Sequence, residues 1–325
     1  MRMRSLVSVS LLVLALAGCG SGGGEESEPA AGAGDAAFPA VVATKFGDVT
    51  VASKPERVVA IGWGDAETAL ALGVEPVGAS DWVAFGGDGV GPWAEGKYTT
   101  PPTIIGTLEP SYEQIAALAP DVILDTKSAG DAERYDHLSQ IAPTIALPDG
   151  ADNYKTPIES QVSMVATALG VPEKGDALLA DIDRRFTDAA AAHPEFAGKA
   201  ITVGAYSGTG WGAYTADTER LQFMKKLGFV SNPAVDAQPA VKFSVPVSEE
   251  NLDVMDADMV VIFPIGRPAA DAANRPLFQA IPAVRDGRYL VFDDQAVSKA
   301  YSTNSVLSLQ YALDTVVPLV SERLR

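Results

Sequence analysis

Residues 111–124 read Ser-Tyr-Glu-Gln-Ile-Ala-Ala-Leu-Ala-Pro-Asp-Val-Ile-Leu, and residues 248–261 read Ser-Glu-Glu-Asn-Leu-Asp-Val-Met-Asp-Ala-Asp-Met-Val-Val. Both fit Ser-x-Glu-x-aliphatic-x-x-apolar-x-x-Asp followed by three apolar residues. Serine is a favoured helix N-cap. The glutamate falls in the first turn, where the helix dipole favours an anion. The two apolar positions, three apart, share one helical face. The aspartate then opens an apolar run that reads as a strand. Two readings of Glu113 and Glu250 stand side by side. They are first-turn residues of two ordinary helix starts, or they are one exposed carboxylate per lobe, matched to two basic pockets on a dimeric partner. Glu249 is the neighbouring candidate in the second copy.

Outward from each copy, strand-like and helical stretches alternate. Arg57–Ile61, Thr103–Ile105 and Asp121–Leu124 read as strands, with helices at Asp65–Leu72 and Glu113–Leu118. The alternation returns with strands at Ala200–Val203, Met259–Phe263 and Tyr289–Phe292, and helices at Thr218–Leu227, Glu249–Met255 and Ser305–Leu324. Strands separated by short helices predict βαβ units and a mainly parallel sheet. Between the halves, Pro157 to Ala192 is helical in pattern, interrupted at Gly170 and Pro172. A helix over 173–192 would span roughly 30 Å. The predicted fold is α/β, with two lobes, each a mainly parallel sheet flanked by helices, joined by one long linking helix. The boundaries are 41–153 for the first lobe, 154–198 for the link and 199–325 for the second lobe.

Composition agrees with this size. The chain has 325 residues, which at about 150 per domain gives two domains. A net charge of −18 argues against nucleic-acid binding, which needs cations to neutralise phosphates. One cysteine excludes an intrachain disulfide and a cysteine-built zinc site, and two histidines, His137 and His193, leave no His-rich metal site. Both histidines read as solvated. The first residues carry Arg2 and Arg4, then an apolar run from Leu6 to Ala17 that is short for a membrane span. This is the pattern of a secretory signal, residues 1–18. It ends in Leu16-Ala17-Gly18-Cys19, which resembles the bacterial lipobox, where the cysteine becomes the lipidated first residue. Residues 19–40, rich in Gly, Ser, Ala and acids, read as a flexible tether. The expectation is an extracytoplasmic protein, lipid-anchored to the cell membrane through Cys19.

Lys54-Pro-Glu-Arg57-Val-Val-Ala-Ile61, then Glu67-x-x-x-x-Leu72-Gly73-Val-x-Pro76-Val-Gly78, resembles the start of periplasmic binding proteins of the ferric-siderophore and cobalamin class. The block at 111–121 is similar to that family's next block, and Ser305 to Asp314 resembles its last helix. The resemblance covers about residues 48–325. It implies two α/β lobes, a long linking helix and ligand capture in the cleft. It further implies delivery to an ABC permease dimer through one glutamate per lobe, by position Glu113 and Glu250. No catalysis and no bound cofactor are expected, and the expected state is a monomer.

For the cleft, loops at strand ends are the expected source of binding residues. Trp63 follows the first strand. Trp82, Phe85 and Trp93 lie in the Gly-rich 81–98 stretch, and Tyr206, Trp211 and Tyr214 in a second Gly-rich stretch. Aromatic faces suit flat, apolar or chelating organic ligands. Arg267 and Lys127 follow strands and could hold an anionic group. Tyr301 and Asn304 precede the last helix. Core packing over the sheets is the competing role for the aromatics, and a solvated surface for the cations. A ferric ion already wrapped by an organic chelator needs no protein ligands, so the expected ligand is an Fe(III)-siderophore, with cobalamin or haem as alternatives. The acidic surface favours neutral or cationic complexes. A surface ligand-binding protein without a permease is also open. Gly208 to Ala213 fits Gly-x-Gly-x-x-Ala, yet helical pattern resumes only near Thr218, so the dinucleotide fingerprint lacks its helix. No Gly-x-Ser-x-Gly elbow is present.

Overall fold

Parallel strands covered on both faces should read as unbroken apolar runs, and the inner strands Val58–Ala60, Val122–Asp125 and Met259–Pro264 are built this way. The computed structural model describes residues 37–151 and 154–324. The signal segment 1–18, Cys19 and the tether up to residue 36 lie outside the described residues. Strands β1 (Ala40–Thr44) and β2 (Gly47–Val51) form an antiparallel hairpin with Val42 opposite Val49. The first sheet comprises β3 (Val58–Ala60), β4 (Gly78–Ser80), β5 (Thr103–Ile105), β6 (Val122–Asp125) and β7 (Thr144–Ala146), in the order β5-β4-β3-β6-β7. Its paired strands all run parallel. The second sheet contains β8 (Ala200–Ser207), β9 (Gly210–Tyr214), β10 (Val230–Ser231), β11 (Ser244–Val247), β12 (Met259–Pro264) and β13 (Tyr289–Val291). Its order is β11-β9-β8-β12-β13, with β10 also on β8. Here β8, β12 and β13 are parallel, while β9 and β11 add antiparallel pairs.

The sequence repeat has a structural counterpart. Asp121 Oδ2 accepts from the backbone amides of Glu56 and Arg57, each at 2.8 Å, at the start of neighbouring β3. Asp258 Oδ2 accepts from the Ala200 amide at 2.9 Å, at the start of neighbouring β8. Each aspartate therefore clasps the adjacent strand by amides that the ladder leaves open. The helix starts diverge. Ser111 caps helix Tyr112–Ala117 by accepting from Gln114 N. Ser248 makes no such bond, and Glu249–Met255 is a 3₁₀ segment broken at Asn251 (φ −111°, ψ 23°) rather than the expected α-helix. Asn and Asp within so short a segment hold α-helix poorly.

The linking segment is two helices, Ile158–Ala168 and Pro172–Ala192. On the first, Ile158 and Val162 pack with the core of the second sheet, and Met164, Val165 and Ala166 with that of the first. One helix thus stitches both cores, and the described residues form one compact unit. The joint between the helices turns at Gly170, with φ +71°. A Cβ there would lie 2.4 Å from the Phe38 ring. Gly170→Ala is expected to cost about 1–2 kcal/mol, from left-handed strain plus displacement of Phe38. An unchanged urea midpoint would contradict this.

Candidate interlobe ligand cleft

One wall grows from the first sheet. Backbone bonds fix Trp63 where β3 ends: its amide donates to Lys127 O at 2.9 Å and its carbonyl accepts from Gln161 Nε2 at 2.9 Å. Gln161 also donates to buried Asp65 at 2.7 Å, and Thr126 bonds the same carboxylate through its amide and hydroxyl. Burial pushes the Asp65 carboxyl up to about 6, against these bonds. The Trp63 ring stacks between Trp82 (centroids 4.2 Å, planes 7° apart) and Tyr154 (4.0 Å, 24°). Asp81 shapes the loop carrying Trp82 by accepting from the amides of Phe85 and Gly86.

The opposite wall comes from the second sheet and its helices. Helix Glu219–Lys226 is capped by Thr218 and opens with Glu219 and Arg220. The Arg220 guanidinium lies over the rings of Tyr214 (4.8 Å) and Phe263 (5.6 Å). Its Nε is buried without a hydrogen-bond partner among the described residues, as is Trp63 Nε1 on the facing wall. Two cavities open between the walls. One, of about 130 Å³, is lined by Trp63, Tyr154, Arg220, Phe243 and Ser302 among others. The second, of about 260 Å³, has Trp82 and Val83 on one side and Tyr214, Arg220, Ile265 and Lys299 on the other. A larger open groove, about 730 Å³, runs by β13 on the second lobe alone, away from the aromatic stack.

Contacts cross the cleft at its margins. Lys127, 3% exposed, donates to Glu219 at 2.6 Å, and Lys155 to Asp217 at 3.1 Å. Lys299 donates to Ala84 O at 2.9 Å. Behind the walls, buried Glu67 accepts from Ser305 Oγ, and from Trp93 Nε1 at 2.8 Å. Burial raises the Glu67 carboxyl, and these bonds oppose the rise.

Of the aromatics singled out by sequence, Trp63, Trp82 and Tyr214 line the cavities. Trp93 does not: it sits in the 3₁₀ turn Pro92–Ala94, bonded to Glu67 and packed against Phe85 and Tyr311. Tyr206 and Trp211 are not in a loop. They form a cross-strand pair in the β8–β9 hairpin, on the sheet face away from Tyr214. Side chains alternate along a strand, so the odd spacing from Trp211 to Tyr214 sends them to opposite faces. Trp211, 6% exposed, stacks on Phe278 at 5.1 Å. The same hairpin removes the dinucleotide reading of 208–213, because a strand follows where a helix is required. Tyr301 is 2% exposed, its hydroxyl donating to Arg220 O, so it supports the cleft from behind. Asn304 is buried beside it, in the left-handed conformation that ends helix Gln295–Thr303. Arg267 is exposed over Tyr206 (5.5 Å) and pairs with Asp271 at 3.6 Å. Lys127 reaches the cleft only through Glu219.

Sequence reasoning missed Arg220, Lys299, Tyr154 and Phe243. Arg220 reads as one more charge on a helix face, and its neighbours across the cleft are distant in the chain. Glu113 and Glu250 are both exposed. Glu249 is engaged by Arg275 (Nε–Oε1 2.8 Å), whereas Glu250 has no ion-pair partner among the described residues. His137 is exposed, and His193 Nδ1 lies 2.9 Å from Glu195. Among the described residues, no group of three His, Cys, Asp or Glu side chains is placed to hold a metal, and no helix is long and apolar enough to cross a membrane.

Comparison with known proteins places this geometry. The probable siderophore-binding lipoprotein YfiY of Bacillus subtilis is 27% identical over 283 residues, covering 82% of each chain. The ferric-anguibactin-binding protein FatB of Vibrio anguillarum is 24% identical over 304 residues, 86% of this chain and 87% of the relative. A periplasmic solute binding protein of Mycobacterium smegmatis superposes with a TM-score of 0.76 at 27% identity, covering 88% of this chain and 99% of that one. PiaA of Streptococcus pneumoniae, solved in complex with ferrichrome, superposes at 0.73 with 27% identity, over 87% and 98%. The family model for periplasmic binding proteins matches residues 58–296, from β3 in the first sheet to the helix after β13 in the second. That span holds both walls of the cleft apart from lining residues beyond 296, Lys299 and Ser302 among them, and the chain belongs to the periplasmic binding protein family.

Proposed function

We propose that this protein captures a ferric siderophore between its lobes and delivers it to an ABC permease dimer, tethered outside the cytoplasm by a lipid on Cys19. The observation that carries the reading is the Trp63–Trp82–Tyr154 stack facing Arg220 across open volume. Indole faces supply apolar contact to a chelator backbone, while a guanidinium supplies directed hydrogen bonds to its oxygens. A chelator that fills the iron's coordination sphere asks for no protein ligand. The named specificities of YfiY and FatB point the same way. Glu113 and Glu250 are the proposed docking carboxylates, one per lobe.

Tryptophan fluorescence tests the cleft. Ferric chelates absorb in the indole emission range, so the wild type should be quenched in a saturable manner. Trp63→Phe with Trp82→Phe should lose most of that quenching. The absence of saturable quenching with hydroxamate, catecholate and carboxylate chelates alike would overturn the reading and turn attention to cobalamin or haem.

A further inference from the structure

The chain is strongly acidic, at −18 overall, but the cleft is not. Among the described residues, the two carboxylates lining it are each held by a lysine from outside the second lobe: Glu219 by Lys127 of the first lobe, and Asp217 by Lys155 of the link. Two further cations face the volume between the walls, Arg220 and Lys299. Neither has a carboxylate partner among the described residues. Arg220 Nε, buried over Tyr214 and Phe263, has no acceptor among the described residues. A buried donor left unmade costs more than its bond returns in water, so a group that supplies the acceptor gains on binding. Walls of low dielectric focus the field of these two cations into the cleft. The expectation drawn from overall charge, a neutral or cationic complex, is therefore reversed by the local arrangement.

We propose that the ligand class is an iron chelate of net negative charge that seats an anionic oxygen on Arg220, with Lys299 adding to the field at the rim. This rests on the reading of the cleft as a siderophore site and narrows it.

The test is a titration of the full chain by tryptophan quenching with four probes. Ferric dicitrate and a ferric tris(catecholate) are anionic, ferrichrome is a neutral trihydroxamate, and ferrioxamine B is cationic. At least one anionic probe should bind tighter than ferrichrome by about tenfold or more, with ferrioxamine weakest. Its affinity should fall as salt rises, although burial moderates the screening. Arg220→Gln, which keeps most of the side-chain volume, should weaken the anionic probe by about ten- to hundredfold and ferrichrome by a clearly smaller factor, since only the anionic probe loses a charge partner as well as a hydrogen bond. Lys299→Gln should act in the same direction, less strongly, and gives an independent variant should Arg220→Gln disturb folding. Ferrichrome or ferrioxamine binding as tightly as both anionic probes would overturn the charge assignment while leaving siderophore capture in place. Binding of none of the four would overturn both.

Discussion

Arg134→Leu should lower the free energy of unfolding by about 3–5 kcal/mol, the cost of stripping one partner from a buried ion pair. Arg134 grips Asp125 with two parallel bonds, Nη2–Oδ1 at 2.7 Å and Nε–Oδ2 at 2.9 Å, and both side chains are almost fully buried. Burial pushes the Asp125 carboxyl up, and the guanidinium pulls against that push. With the arginine gone, the carboxylate must take up a proton or carry an unpaired charge at the end of β6. The double variant Asp125→Leu, Arg134→Leu removes both charges and should recover most of the loss. Urea unfolding measures both. A single-variant loss under about 1 kcal/mol, or a double variant less stable than the single, would refute the argument. Arg134 Nη1 also donates to Thr107 O at 3.0 Å, in the loop before the helix bearing Glu113. The single variant should therefore loosen that helix as well as the sheet.

The second large effect concerns docking. Glu113→Ala together with Glu250→Ala should leave chelate affinity near wild type and abolish uptake. Removing one partner from a desolvated charge pair at an interface costs about 2–5 kcal/mol, and two such losses exceed what a transient complex tolerates. Both carboxylates are exposed and outside the cleft, so quenching titrations should not change. Glu249→Ala should weaken uptake less, because Arg275 already engages that side chain. Iron uptake into cells lacking their own copy supplies the readout. Normal uptake with the double variant would remove these residues from any docking role.

Much of the fold was legible because its strands are buried on both faces. Val58–Ala60, Val122–Leu124 and Met259–Phe263 stand out as apolar runs, each followed by helix or turn chemistry. The hairpin Ala40–Val51 was hidden beside a tether of similar small residues, although its alternation of buried and exposed positions is regular. In the cleft, aromatic content was visible and side-chain direction was not. Glycines made 206–214 look like a loop, and only the β8–β9 register shows that Trp211 faces the core and Tyr214 the cavity. Arg220 could not be found by spacing, since Trp82, Phe263 and Lys299 approach it from distant parts of the chain. The repeated aspartates were visible as a pattern, but their part as clasps depends on strand adjacency.

The ion pair of Lys127 with Glu219 joins the two lobes directly, and a helix stitched into both cores leaves little travel for opening. The distance between Glu113 and Glu250 is then expected to differ little between loaded and unloaded molecules. A transporter reading only that distance would accept vacant carriers nearly as readily as full ones. Overproducing this protein beyond the supply of its chelate should therefore slow import through occupancy by empties.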